Sequence, residues 1–198
     1  NMFLMDAFSS SEALGMGQSV SGGGAAAKTA KFEPSLNTIV VNDADQRITE
    51  PGVMGRLAVG GRQPIGYYKD PEKSARTFIM VDGKRYSCPG DYAVLEEDGS
   101  ITVLGRGSVC INTGGEKVFP EEVEEALKTH PGVRDAVVVG VPNERFGEMV
   151  VAVVESKAEP PTEEELIEHV RERLAAYKAP RRVLDVDPIR RPPCPLHP

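Results

Sequence analysis

The spacing of apolar positions changes character near residue 106. Before that point apolar residues come in short β-branched runs bounded by glycine, asparagine and aspartate. "NTIVVND" and "GRLAVGG" read as short strands. "YAVLEEDGSITVLG" reads as a hairpin, two alternating runs around Asp98-Gly99, a tight-turn dipeptide. One helix interrupts the strands. In "KDPEKSARTFI" Asp70 suits the cap, Pro71 the first helical position and Glu72 the first turn, so the pattern predicts a helix over 71–78. Residues 11 to 31, "SEALGMGQSVSGGGAAAKTAK", are rich in serine, glycine and alanine and read as a loop or linker. They lack the Gly-Lys-Ser/Thr ending of a phosphate-binding Walker loop.

After Gly105 strands and helices alternate. "VCIN" and "EKVF" read as short strands around Gly114-Gly115. "PEEVEEALKTH" is a helix opened by Pro120, with Lys128 near its end and a buried stripe of Val123, Ala126 and Leu127. Its glutamates, Glu121, Glu122, Glu124 and Glu125, are assigned to a solvated face near the positive end of the helix, where they would repel a phosphate. "VRDAVVVGVP" and "EMVVAVVES" are strands. "TEEELIEHVRERLA" starts with a capping box, Thr162 to Glu165, and carries Leu166, Ile167, Val170 and Leu174 on its apolar face. "RRVLDV" is a last short strand. The expected fold class is α+β, with a compact unit over 106–187 and a boundary at Arg106 to Ser108. The proline-rich end, 188–198, fits no helix or central strand.

Composition narrows the function classes. The chain has 198 residues and a formal net charge of -7, and its charges are mixed rather than gathered in a basic stripe, which argues against nucleic acid as a partner. No apolar run reaches transmembrane length. Cys88, Cys110 and Cys194 are far apart and form no CxxC pair, so neither a zinc site nor a disulfide framework is expected. Cys88 and Cys110 read as small buried hydrophobes, and a reducing cytoplasm fits best.

"GYYKDPEKSARTF", "YSCPGDYAVLEEDGSITVLGRG" and "INTGGEKVFPEEVEEAL", in that order, followed by "HPGVRDAVVVGVPNERFGEMVVAVV" and "YKAPRRV", resemble the C-terminal part of the adenylate-forming (AMP-binding) superfamily. Within it they look most like the acyl-CoA synthetases, the fatty-acid–CoA ligases. The resemblance implies that residues 1–105 are the end of a large AMP-binding domain, that 106–187 are the small mobile C-terminal domain, and that 188–198 are an atypical tail. It implies ATP, AMP and Mg2+ as ligands and CoA and a carboxylic acid as co-substrates. The acid would be joined to AMP with release of pyrophosphate and then passed to the CoA thiol.

Residue roles follow from the same resemblance. "AFSSSE" matches a segment in which an aromatic lies near adenine, a hydroxyl reaches phosphate and a carboxylate holds magnesium, which assigns Phe8, Ser11 and Glu12. Asp91 in "YSCPGDY" would accept from the ribose hydroxyls, and Arg106 would reach ribose or phosphate. Gly107 and Ser108 take the hinge position, and Gly114 and Gly115 face CoA. The family's C-terminal Pro-x-x-x-x-Gly-Lys segment has no counterpart in "DVDPIRRPPCPLHP", so the catalytic set is incomplete. The implied reading is a partial acyl-CoA ligase, inactive as this chain alone, for which a separate chain could supply the rest of the large domain. A non-catalytic CoA-binding or docking module, or the product of a split or frameshifted ligase gene, are the alternatives.

Overall fold

Short β-branched runs separated by turn residues pair into sheets because each run alone cannot satisfy its backbone or bury its side chains. The computed structural model describes residues 3–22, 30–157 and 159–189. It separates into two compact units, Asn1–Ser108 and Val109–Pro198.

The first unit contains β1 (Phe3–Phe8), β2 (Gly17–Gly22), β3 (Lys31–Pro34), β4 (Thr38–Val41), β5 (Arg47–Ile48), β6 (Met54–Val59), α1 (Pro71–Thr77), β7 (Phe78–Val81), β8 (Lys84–Ser87), β9 (Asp91–Leu95) and β10 (Ile101–Arg106). They form one sheet in the order β1-β2-β3-β10-β9-β6-β4-β5, with β8 joining β6 to β7. The strand period of two sorts the apolar runs onto opposite faces. Val40, Leu57, Val59, Ala93 and Ile101 pack on one side with Ala13 and Met16. Ile39, Val41 and Ala58 pack on the other with Ile79, Val81 and Cys88. Burial on both faces is why "TIVV" and "LAV" are nearly continuous apolar runs.

The structure corrects the reading of residues 11 to 31 as a loop. Gly17–Gly22 is a strand paired antiparallel with Phe3–Phe8 from Phe3↔Gly22 to Phe8↔Gly17. Its backbone hydrogen bonds outweigh the weak strand propensity of serine and glycine. The rest of that stretch, 23–29, lies outside the described residues. Asp70 caps α1 through Lys73 N–H at 2.9 Å, and the helix ends at Thr77, one residue early, because Phe78 turns extended and starts β7. The hairpin at Asp98-Gly99 forms with a longer loop than expected. Glu96 N–H donates to Ser100 O at 2.9 Å and Gly99 N–H to Glu96 O at 3.0 Å, and Gly99 takes φ of 82°. This is a loop of three residues closed by a left-handed glycine. The tight turn falls instead at Asp82-Gly83, between the paired Val81 and Lys84, with φ of 50° and 73°.

The second unit contains β11 (Ile111–Thr113), β12 (Glu116–Val118), α2 (Pro120–Lys128), β13 (Val133–Asn143), β14 (Gly147–Ser156), α3 (Glu163–Arg171) and β15 (Arg182–Asp185). The sheet runs β12-β11-β14-β13, with β15 parallel to β14. Val123, Ala126 and Leu127 of α2 and Leu166 and Val170 of α3 meet Ala136, Val138, Val150, Ala152 and Val154 in one core. Ile167 and Leu174 pack at its edge, Leu174 beyond the end of α3. No helix among the described residues is long and apolar enough to cross a membrane.

Two of the four glutamates of α2, Glu122 and Glu124, depart from the solvated-face reading, while Glu121 is exposed. Glu122 Oε1 accepts Phe119 N–H at 3.3 Å at the start of the helix, and its Oε2 lies 2.6 Å from Lys178 Nζ, with both side chains mostly buried. Glu124 Oε1 accepts Val138 N–H from β13 at 2.9 Å. These carboxylates satisfy donors inside the unit rather than lining a solvated face, because α2 packs on β13 and brings its polar flank to backbone and side-chain donors of its neighbours. Glu125 fits the surface reading better, in an ion pair with Lys128 at 3.2 Å.

Candidate functional site

Glu12 sits in the turn that leaves β1. Ser10 N–H donates to Ala13 O at 2.9 Å, and Ala13 N–H returns to Ser10 O at 3.2 Å. Ala13 and Met16 are thereby buried under the sheet, and Glu12 is left half-buried at its rim. The Tyr67 hydroxyl donates to Glu12 Oε1 at 2.6 Å. That bond, more than any other influence, holds the Glu12 carboxyl below its ordinary value, with the Ser10 hydroxyl and Lys73 acting the same way and burial opposing them.

Asp91 opens β9 directly opposite Arg106 at the end of β10. Gly90 precedes it at φ of 99°, a left-handed turn that suits glycine, and Gly90 O accepts Gly107 N–H at 2.9 Å. Arg106 Nε lies 3.3 Å from Asp91 Oδ1. The Asp91 side chain is 7% exposed and that of Arg106 59%. Burial pushes the Asp91 carboxyl up. Arg106 pulls it down less strongly, and the charge of Glu12 adds a smaller upward push. Glu12, Asp91 and Arg106, far apart in the sequence, therefore share one electrostatic neighbourhood.

The other expected residues lie as follows. Phe8 is half-buried against the core, its ring centroid 5.6 Å from that of Phe32. Ser11 is exposed on the bend before Glu12. Gly107 and Ser108 lie in a 3-10 turn, Gly107–Val109. A Cβ on Gly107 would fall 2.7 Å from the Tyr92 ring, so glycine is required there for close packing. In the second unit Gly114 and Gly115 form a two-residue turn between the paired Thr113 and Glu116, with φ of 61° and 89°. Gly114 N–H donates to Phe146 O at 2.8 Å. The guanidinium of Arg181 lies 4.0 Å from the Phe146 ring centroid and that of Arg145 5.1 Å, so two cations flank this aromatic beside the glycine turn. Cys88 and Cys110 are free thiols, and burial raises both. Cys88 is buried as expected, Cys110 only partly. Cys194 and the segment that would hold the family lysine fall at 190–198, outside the described residues.

The donor set fits the implied ligands. A buried acceptor-only carboxylate beside a guanidinium suits a diol and a phosphate. Glu12 offers a hard oxygen, as Mg2+ requires, and Mg2+ commonly takes one or two protein carboxylates with substrate phosphate oxygens and water. Among the described residues no group of three or more His, Cys, Asp or Glu is placed to hold a metal by itself.

Tyr67, Ser10 and Lys73 are the partners that sequence reasoning overlooked. "GYYKDP" holds no local sign that its first tyrosine reaches a carboxylate 55 positions earlier.

Comparison with known proteins gives a consistent result. Residues 122–191 match the AMP-binding enzyme C-terminal domain. A medium/long-chain-fatty-acid–CoA/3-oxocholest-4-en-26-oate–CoA ligase of Mycolicibacterium smegmatis is 54% identical over 159 residues, 79% of this chain and 29% of that protein. A 3-oxocholest-4-en-26-oate–CoA ligase of Rhodococcus rhodochrous is 53% identical over 168 residues, 83% of this chain and 30% of that protein. Among solved structures, ATP-bound MatB from Rhodopseudomonas palustris matches with TM-score 0.67 and 31% identity, over 79% of this chain and 31% of that one. o-Succinylbenzoate CoA synthetase (MenE) from Bacillus subtilis, in complex with the acyl-adenylate intermediate OSB-AMP, matches with TM-score 0.67 and 30% identity, over 80% of this chain and 32% of that one. The chain thus spans less than a third of the length of each of these four proteins.

Proposed function

The chain belongs to the adenylate-forming, AMP-binding enzymes and corresponds to their C-terminal part, and on that basis we propose that it serves the ATP-dependent joining of a carboxylic acid to CoA. The acid would be hydrophobic, as the names of the fatty-acid and steroid-acid ligases above suggest for their own substrates. The carboxylate oxygen attacks the α-phosphorus of ATP and pyrophosphate leaves. The CoA sulfur then attacks the acyl carbon of the adenylate and AMP leaves. A cytoplasmic setting is in keeping with the free thiols of Cys88 and Cys110.

The observation that carries this reading is the pairing of Asp91 with Arg106 across β9 and β10, with Glu12 near enough for its charge to act on Asp91. Asp91 accepts from the ribose hydroxyls. Arg106, mostly exposed, is free to turn its remaining donors toward ribose or phosphate. Glu12 would hold Mg2+, which when bound screens the phosphate charge. Gly107-Ser108 is the hinge in this reading. The Gly114-Gly115 turn lets backbone approach the pantetheine arm, with Arg145 and Arg181 close by to favour the CoA phosphates.

Calorimetric titration of AMP into the full chain tests the nucleotide site. Asp91→Ala should weaken binding about ten- to a hundredfold, the scale of a lost hydrogen bond to a charged group. Equal affinity for the two proteins would remove Asp91 from the site and with it the basis of the proposal.

A further inference from the structure

The segment between β6 and α1 is a strap tied down at several points, and it carries Tyr67, whose hydroxyl reaches Glu12. Gln63 Nε2 donates to Val59 O at 2.6 Å and to Arg85 O at 3.0 Å. Arg85 returns Nη1 to Pro64 O at 2.8 Å and Nη2 to Ile65 O at 2.7 Å, with its guanidinium 4.3 Å from the centroid of the Phe78 ring. Tyr67 N–H donates to Ser74 Oγ at 2.7 Å, and that hydroxyl donates to Asp70 O at 2.7 Å. A Cβ on residue 66 would come within 2.8 Å of Ser74 Oγ, so glycine is needed for the strap to lie this close to α1. The Tyr67 ring is then fixed between Lys73 Nζ, 4.0 Å from its centroid, and the Phe78 ring at 6.1 Å. What all this fixes is the phenolic oxygen, 2.6 Å from Glu12 Oε1.

We infer that Tyr67 is a positioning residue for Glu12: its hydroxyl, bonded to Oε1, fixes the plane in which the carboxylate is offered to a divalent cation. The inference rests on the reading of Glu12 as the cation-holding carboxylate. Its physical ground is general. A ligating carboxylate on a loop must be oriented before it binds, and hydrogen-bond partners of metal ligands typically change metal affinity by about ten- to a hundredfold when removed. Glu12 lies on a turn closed by Ser10 and Ala13, a short and half-exposed anchor. The strap adds a rigid anchor from the far side. An ordinary surface hydrogen bond would not call for an aromatic ring held by a cation above it, a tethered backbone and a glycine required by packing.

Mn2+ is the probe, added alone and with AMP to the full chain and followed by water-proton relaxation. Wild type, Tyr67→Phe and Glu12→Gln are compared. Tyr67→Phe keeps the ring, its contact with Lys73 and its packing on Phe78. It should bind Mn2+ about ten- to a hundredfold more weakly while the melting temperature changes little. Glu12→Gln should remove the site. Loss of the site in Glu12→Gln with wild-type affinity in Tyr67→Phe overturns the role of Tyr67 and leaves the cation reading standing. Wild-type affinity in Glu12→Gln, or no Mn2+ site on the wild-type chain, overturns the cation reading and this inference together. Should Tyr67→Phe not fold, Arg85→Gln decides, since it frees the strap without touching Glu12. Weaker Mn2+ binding then supports the inference, and unchanged binding overturns it.

Discussion

Asp91 is a carboxylate placed where its charge is poorly hydrated and only partly compensated. An ion pair with a partner as exposed as Arg106 contributes about 0–1 kcal/mol, too little to offset burial, and so the carboxyl is pushed up rather than down. The folded chain therefore holds the Asp91 proton more tightly than the unfolded chain does. Stability attached to this group is present in full below the ordinary carboxylate range and is lost as pH rises through the raised folded value. Asp91→Asn should accordingly raise the melting temperature at pH 7. The gain over wild type should shrink as pH falls toward the ordinary carboxylate value, which thermal scans across that range would show. A variant less stable than wild type at pH 7 would mean that the Arg106 contact outweighs burial. Asp91 and Arg106 are legible in sequence through the resemblance of their motifs to family segments, whereas the register that sets them opposite each other, shifted between Val103 and Gly105, is not. The hold of Tyr67 on Glu12 is not legible, since it depends on how a strap folds back onto a turn far away in the chain.

Elements whose signal is a period are easy to read, whereas elements defined by their partners are not. The stripe Val123, Ala126, Leu127 marks α2 without outside help. β2 has no such signal, and only its ladders with β1 and β3 make it a strand. Two Asp-Gly pairs look alike in sequence and close different loops, because strand register and not the dipeptide decides how many residues the turn may use. The glutamates of α2 show the same limit. A run of acids at a helix start reads as solvated charge, yet Glu122 links the helix start to Lys178, 56 positions on. Removing one partner from a pair this buried leaves the other charge uncompensated, so Glu122→Ala should cost about 1–3 kcal/mol. Glu164, exposed in the first turn of α3, is the reference, and Glu164→Ala should stay within about 0.5 kcal/mol of wild type. Equal losses in urea unfolding would return Glu122 to the surface role that its sequence context suggests.

At the scale of the whole chain the buried side chains form separate groups. Leu57, Val40 and Ala93 belong to clusters of the first unit, and Leu127, Val123 and Val150 to the cluster of the second. The second unit was the more readable of the two, because each helix carries its own apolar stripe and faces strands with little polar content. The first unit builds its core from strands covered on both faces, where a continuous apolar run does not reveal which residue points which way. Separate cores predict separate opening. Leu127→Ala removes a fully buried side chain and should lower hydrogen-exchange protection across β13, β14 and α3 by about 2–5 kcal/mol. Protection in β4, β6 and β9 should move by no more than about 0.5 kcal/mol, as for sites that share no partners. Leu57→Ala should give the reverse pattern. If either substitution lowered protection evenly over both units, the chain would be unfolding as one cooperative body.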